Sequence, residues 1–217
     1  MHKRILALLL CICFTVTISA QTEHKTVLPA THTIRLNPTG LLDPVEPNLS
    51  FGYEYRFQEN WAIAGDIAWV FYSRYSEQAN HADGFIFRPA IRRYIGPRKE
   101  TFLDAEFHYK YVVSLIEGWL GRDCVNGVPA YEEFTTFHYL RQSIGFNLKM
   151  GARSNISKNN KLGIEYYLGL GVRRNFQNVL HEPTCCYIYA TNPVGVQNED
   201  GQITAAVPIG LRILYNL

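Results

Sequence analysis

Beyond residue 20 the sequence has no apolar run of 18 or more residues, the length that marks a membrane-crossing helix. That excludes a helical membrane protein. Excess charge is also small: 21 basic residues stand against 19 acidic ones, a formal net of +2. Such a balance gives no pull on nucleic acid, and no block of like charges marks an interaction tail. Neither an internal repeat nor a low-complexity linker divides the chain, and all-β units of about 200 residues are common as single domains. Cysteine is sparse, with only Cys124, Cys185 and Cys186 after residue 20. Two adjacent cysteines without a matching histidine cluster make a poor zinc site. Asn198, Glu199, Asp200 and Gly201 lack the remaining ligands of a calcium loop and read as a turn. No metal or other cofactor is expected.

What the sequence does contain begins with a basic tip, His2, Lys3 and Arg4, then an apolar run over 5–18, then Ser19 and Ala20 ahead of Gln21. This is the order of a cleavable signal peptide, and the run is shorter than the roughly 20 residues of a membrane anchor. Leu10 before Cys11 and Ile12 before Cys13 stand where a lipid-acceptor cysteine needs a small residue. The chain is therefore read as a signal peptide at 1–20 and one domain at 21–217.

Over the whole chain 47% hydrophobic residues give a mean hydropathy of only -0.11, so apolar and polar residues are interleaved. Over 48–57, Leu49, Phe51, Tyr53, Tyr55 and Phe57 alternate with Asn48, Ser50, Gly52, Glu54 and Arg56. A period of two places the large side chains on one face of a strand. The same alternation runs through 61–71, 85–95, 103–115, 143–151, 162–173 and 207–217, and a shorter piece with Ile34 and Leu36 brings the number of strands to eight. In the sixth, Phe137 and Tyr139 share parity with Arg141 rather than with Ile144, which predicts a bulge near Arg141 and Gln142 or a strand end standing above a membrane.

The second face decides the environment. A soluble sheet would carry Lys, Glu, Thr and Ser there; this one carries Gly and Ala with charges of both signs, which suits the crowded interior of a narrow barrel whose apolar face meets lipid. Short connections at 58–60, 96–100 and 154–160 alternate with long ones at 39–47, 73–83, 118–133 and 177–202. Periplasmic turns and external loops differ in this way. The expected fold is all-β: an eight-stranded antiparallel up-and-down transmembrane β-barrel, with both termini in the periplasm and an interior only wide enough for side chains.

The closing segment has Gly210, Ile213, Tyr215 and Leu217 at spaced positions. With the signal peptide and the eight alternating segments, it resembles the small outer-membrane barrels of the OmpA and OmpX type. It departs from their insertion signal by ending in Leu rather than Phe. A second likeness, carried by Arg35 to Pro38 and by Pro47 to Glu54, is to a bacterial barrel family of unknown function. These resemblances imply an outer-membrane location, insertion by the barrel-assembly machinery, contact with outer-membrane lipids including lipopolysaccharide, and no activity.

The interior-facing set holds Arg35, Arg56, Arg88, Arg92, Lys110, Arg141, Lys149, Arg173 and Arg212 against Glu54, Asp66, Asp104, Glu106 and Glu165. Buried charges are costly unless paired, so a ladder of salt bridges is expected; the functional alternative is a narrow ion channel. Some eight-stranded barrels are lipid A-modifying hydrolases, and the deacylase resemblance requires a His and a Ser two residues apart. His108 is followed by Lys110, His138 by Leu140 and His181 by Pro183. The expectation is a structural or surface-interaction barrel without catalysis, its external loops the recognition surface. Cys124 is expected to bond Cys185 or Cys186 across the outer rim, with a vicinal Cys185–Cys186 bond as the alternative.

Overall fold

The computed structural model describes residues 32–73, 79–123, 125–126, 128–180 and 201–217. The segment 1–20 read as a signal peptide and Cys124, Cys185 and Cys186 lie outside the described residues. The strands are β1 (His32–Asn37), β2 (Asn48–Gln58), β3 (Trp61–Val70), β4 (Ala79–Ile95), β5 (Thr101–Arg122), β6 (Tyr131–Asn155), β7 (Leu162–Leu180), β8 (Ile203–Ala206) and β9 (Ile209–Asn216), with a 3-10 turn at Pro38–Leu42. Every pairing is antiparallel. Ladders between β6 and β7 and between β1 and β9 close the sheet into a ring of eight strands, with β8 carried on β7.

The ring is staggered. From Leu36 the ladder partners run through Phe51, Ile67, Phe87, Tyr109, Ile144 and Arg174 to Ile203. Leu36 itself faces Ile213, ten residues away from Ile203. A stagger of this kind obliges the strands to tilt. The first and last described residues meet at the edge that carries the short turns, where the Leu217 amide donates to the His32 carbonyl at 3.1 Å.

Faces follow the alternation. Phe51, Ile67, Leu148 and Leu170 point outward and are more than half exposed, while the intervening residues are buried inside. Small residues are needed inside because the strands carry long charged neighbours: a Cβ on Gly52 would lie 1.9 Å from Asp66 Oδ1, and one on Gly171 2.1 Å from Asn147 Oδ1.

Several expected boundaries need correction. The eighth strand is divided at Val207 and Pro208, since proline has no N–H for the ladder. The connections expected at 73–83, 118–133 and 177–202 are narrower, because β4 begins at Ala79, β5 runs to Arg122, β6 begins at Tyr131 and β7 reaches Leu180. No bulge interrupts β6: its register against β5 is continuous from Ala152 to Tyr131. What changes is the facing of the apolar residues. Beyond Lys110 on β5 Val112, Ser114, Ile116 and Leu120 are buried, with Glu117 and Trp119 exposed; on β6, Phe137 and Tyr139 are buried, with Phe134, Thr136 and His138 exposed. Ile116, Leu120, Phe137, Tyr139 and Val179 form one interior apolar cluster, and Ala68, Val70, Ala82, Ile86 and Val112 form another. The outer part of the wall thus has a core of its own.

Candidate functional site: a charged interior with an open upper half

Nearest the short turns the interior is filled by Tyr94, Phe102 and Tyr167, packed with Ala62. Guanidinium groups lie on these rings: Arg56 is 3.6 Å from the Tyr94 centroid, Arg92 3.6 Å from Phe102, and Arg212 4.3 Å from Tyr167. Arginine stacks well on aromatic faces because its charge is delocalised and weakly hydrated.

Above these rings four carboxylates meet four arginines. Arg92 donates to Asp104 at 2.7 and 2.8 Å, to Glu54 at 2.8 Å and to Glu165 at 2.5 and 2.9 Å. Arg212 joins Glu165 at 2.5 Å to Asp66 at 2.7 Å. Arg35 contacts Asp66 at 2.7 Å and Glu54 at 3.7 Å, and Arg153 reaches Glu54 at 3.0 Å and Glu165 at 3.4 Å. Tyr94 donates its hydroxyl to Glu54. The strands β1 to β7 and β9 all contribute, so the network ties the ring across its interior. Charge-assisted pairs with both partners fixed are the stronger hydrogen bonds of a protein. Here they also crowd the interior, where all eight of these charged side chains except Arg153 are 2% exposed or less.

The next level is unbalanced. Arg88, Lys110, Arg141, Lys149 and Arg173 face a cavity of about 1330 Å3. Among the described residues two carboxylates form ion pairs with them: Glu106, held by Lys149 and by Asn147 at 3.0 Å, and Glu46, held by Lys110 and by Arg141 at 2.7 Å; Asp43 lines the same cavity and acts on Arg173 without an ion pair. Arg88 donates to Ser50 Oγ at 2.9 Å. His108, 2% exposed, sits among Arg173, Arg88, Lys110 and Lys149, and neither ring nitrogen has a partner. Pro89 lies where the β4–β5 ladder lapses between Phe87–Tyr109 and Ala90–Glu106, opposite the pair that includes His108. Glu46 is in the 38–47 connection, outside the strands. Burial raises its carboxyl pKa, but Lys110 and Arg141 outweigh that and hold it below the ordinary value.

The structure thus places every interior charge read from the alternation on the inside of the ring, but in two sets. Arg35, Glu54, Asp66, Arg92, Asp104, Glu165 and Arg212 belong to the paired set. Arg88, Glu106, Lys110, Arg141, Lys149 and Arg173 surround the cavity, and Arg56 is held by Tyr94 with no carboxylate partner. Sequence reasoning missed Arg153, Glu46 and the three aromatic rings, and read His108 on the inner face without its cluster of cations. Arg153 shares parity with Lys149 and Gly151, so extending the sixth strand by two residues would have found it. Glu46 lies in an irregular segment with no period to read. The unpartnered His108 nitrogens and Ser143 hydroxyl form no Ser–His pair. No family model, no curated protein and no solved structure matches the chain.

Proposed function

We propose that the chain is a transmembrane β-barrel of a Gram-negative outer membrane, closed along its axis, whose tall outer hairpins carry a structural or surface-interaction role without catalysis. The observation that carries this reading is the exchange of faces along single strands. On the half of the ring nearer the short turns, apolar residues point out and charges point in. On the far half of β5 and β6, apolar residues point in as well, and Glu117, Thr136 and His138 share the outward face with Trp119 and Phe134. One solvent cannot favour both arrangements. Lipid around the first half and water around the second accounts for them together.

Two further features support it. The outward apolar stretches on β3 and β7 match the roughly 9–11 residues with which a tilted strand crosses a bilayer. Aromatic residues flank them at both levels, with Tyr55, Phe57, Trp61 and Tyr215 on one side and Trp69, Phe71, Phe85 and Tyr111 on the other, as expected of interfacial girdles. In this reading outer-membrane lipids, including lipopolysaccharide, surround the belt, and the barrel-assembly machinery inserts it. Cell fractionation tests the proposal, together with gel migration before and after boiling. Recovery in the outer-membrane fraction with heat-dependent migration is expected; recovery as a soluble periplasmic protein would refute it.

A further inference from the structure

Between the paired arginines and the outer apolar clusters, the interior holds more positive charge than it can pair. Among the described residues no carboxylate pairs with Arg88 or Arg173, and the Nε of each is buried without a partner. The Ser143 hydroxyl lines the same cavity, 2% exposed and also without a partner. Both side chains are part-buried, and a cation partly withdrawn from water is costly unless an anion joins it. Two guanidinium groups and a hydroxyl are the donor set that phosphate and carboxylate oxygens accept from most strongly.

The wall beside this cavity is notched. β1 stops at Asn37, and its ladder with β9 goes no further than Leu36 and Ile213. From Leu211 to Ile203 the chain is paired with a strand on the β7 side alone. The Leu211 amide donates instead to Thr39 Oγ1 at 3.3 Å, and Pro208, whose carbonyl accepts from the Gly169 amide on the β7 side at 2.8 Å, lies in the same stretch. The cavity continues past Pro208 to the outward-facing Tyr166, Leu168 and Ile209. A charged chamber therefore opens sideways onto an apolar surface.

We propose that this cavity binds the phosphate- or carboxylate-bearing head of an amphiphile, with Arg88 and Arg173 taking the anion and the notch passing the apolar chain. The anion site stands on the interior alone; a lipid route through the notch rests on the outer-membrane reading. The test is calorimetric titration of the full-length mature protein in a non-ionic detergent. The probes are inorganic phosphate, dihexanoyl phosphatidic acid and dihexanoyl phosphatidylcholine. Phosphatidic acid is expected to bind, and Arg88→Gln with Arg173→Gln to weaken it by at least about tenfold. The Arg88→Lys/Arg173→Lys pair, which keeps charge and loses the planar fork, should fall between.

Phosphate binding that the glutamine pair abolishes supports a site for the free anion. Binding of phosphatidic acid without phosphate, lost in the same pair, supports a lipid headgroup. Phosphatidylcholine binding as tightly as phosphatidic acid overturns the proposal, as does unchanged affinity in the glutamine pair or failure of the folded wild type to bind phosphate or phosphatidic acid. Fractionation separates the two readings: a soluble protein that binds phosphate through these arginines keeps the anion site and loses the membrane.

Discussion

Replacing Arg92 by methionine removes the hub of the paired network at nearly constant volume. Arg92 is 0% exposed, and the Asp104 carboxylate, 2% exposed, has no other partner among the described residues. Glu54 retains Arg35, Arg153 and Tyr94, and Glu165 retains Arg153 and Arg212. The loss therefore falls mainly on Asp104, a carboxylate left buried and unpaired. Breaking such a pair from one side costs about 3–5 kcal/mol, whereas replacing both partners by apolar residues is often neutral. Adding Asp104→Leu restores equal numbers of arginines and carboxylates in the network. It should recover at least about 2 kcal/mol of the loss, a coupling well above the few tenths seen between independent sites. Urea unfolding in lipid vesicles, followed by the fluorescence of the outward-facing Trp61, Trp69 and Trp119, measures both variants. A cost for Arg92→Met below about 1 kcal/mol, or a double variant no more stable than the sum of its singles, would refute the account.

Three other outcomes follow from the same geometry. Phe51→Arg, at an outward position near the middle of β2, should cost about 2–4 kcal/mol in vesicle refolding while Phe51→Leu costs little; equal refolding of the two would place Phe51 in water. Glu46 has a lowered pKa in the folded state, so its contribution is complete above the ordinary Glu value of about 4.3 and is lost as pH falls through the folded one. Limited proteolysis of the 38–47 segment should accelerate only below that value in the wild type. In Glu46→Gln, where Lys110 and Arg141 lose their shared carboxylate, cleavage should be fast at all pH. Planar bilayers containing the protein should show no stepwise conductance, since Arg92 and its partners close the axis; regular steps would mean that the network parts.

The ring was legible in the sequence because a period of two, repeated eight times, leaves little choice of element or facing. Ile63 outward and Ala62 inward can be read without coordinates. Strand ends were harder. The expected strand at 103–115 stopped near where Val112 and Ile116 put apolar residues on the inner face, although the backbone continues to Arg122; in the proposed membrane reading, a change of solvent alters the pattern without ending a strand. The signs of the interior charges were readable as well. Their division into a paired level and an uncompensated one was not, because the ten-residue stagger decides which charges share a height. That stagger brings Arg92 on β4 to Glu165 on β7, a meeting that no local pattern in either strand announces.

Six of the eight joints in the ring link strands that follow one another along the chain and a seventh, β7 to β9, skips only β8, so assembly is a succession of short-range closures, each cheap in chain entropy. The joint between β1 and β9 is different. It brings Thr33 to Asn216 and Leu36 to Ile213 across nearly the whole domain, for only four ladder pairs. Its length is limited by the stop at Asn37, the same stop that leaves the notch. A long closure with a short ladder gains least per residue ordered, which makes this seam the last part of the ring to form. It is also where amide exchange should first report opening.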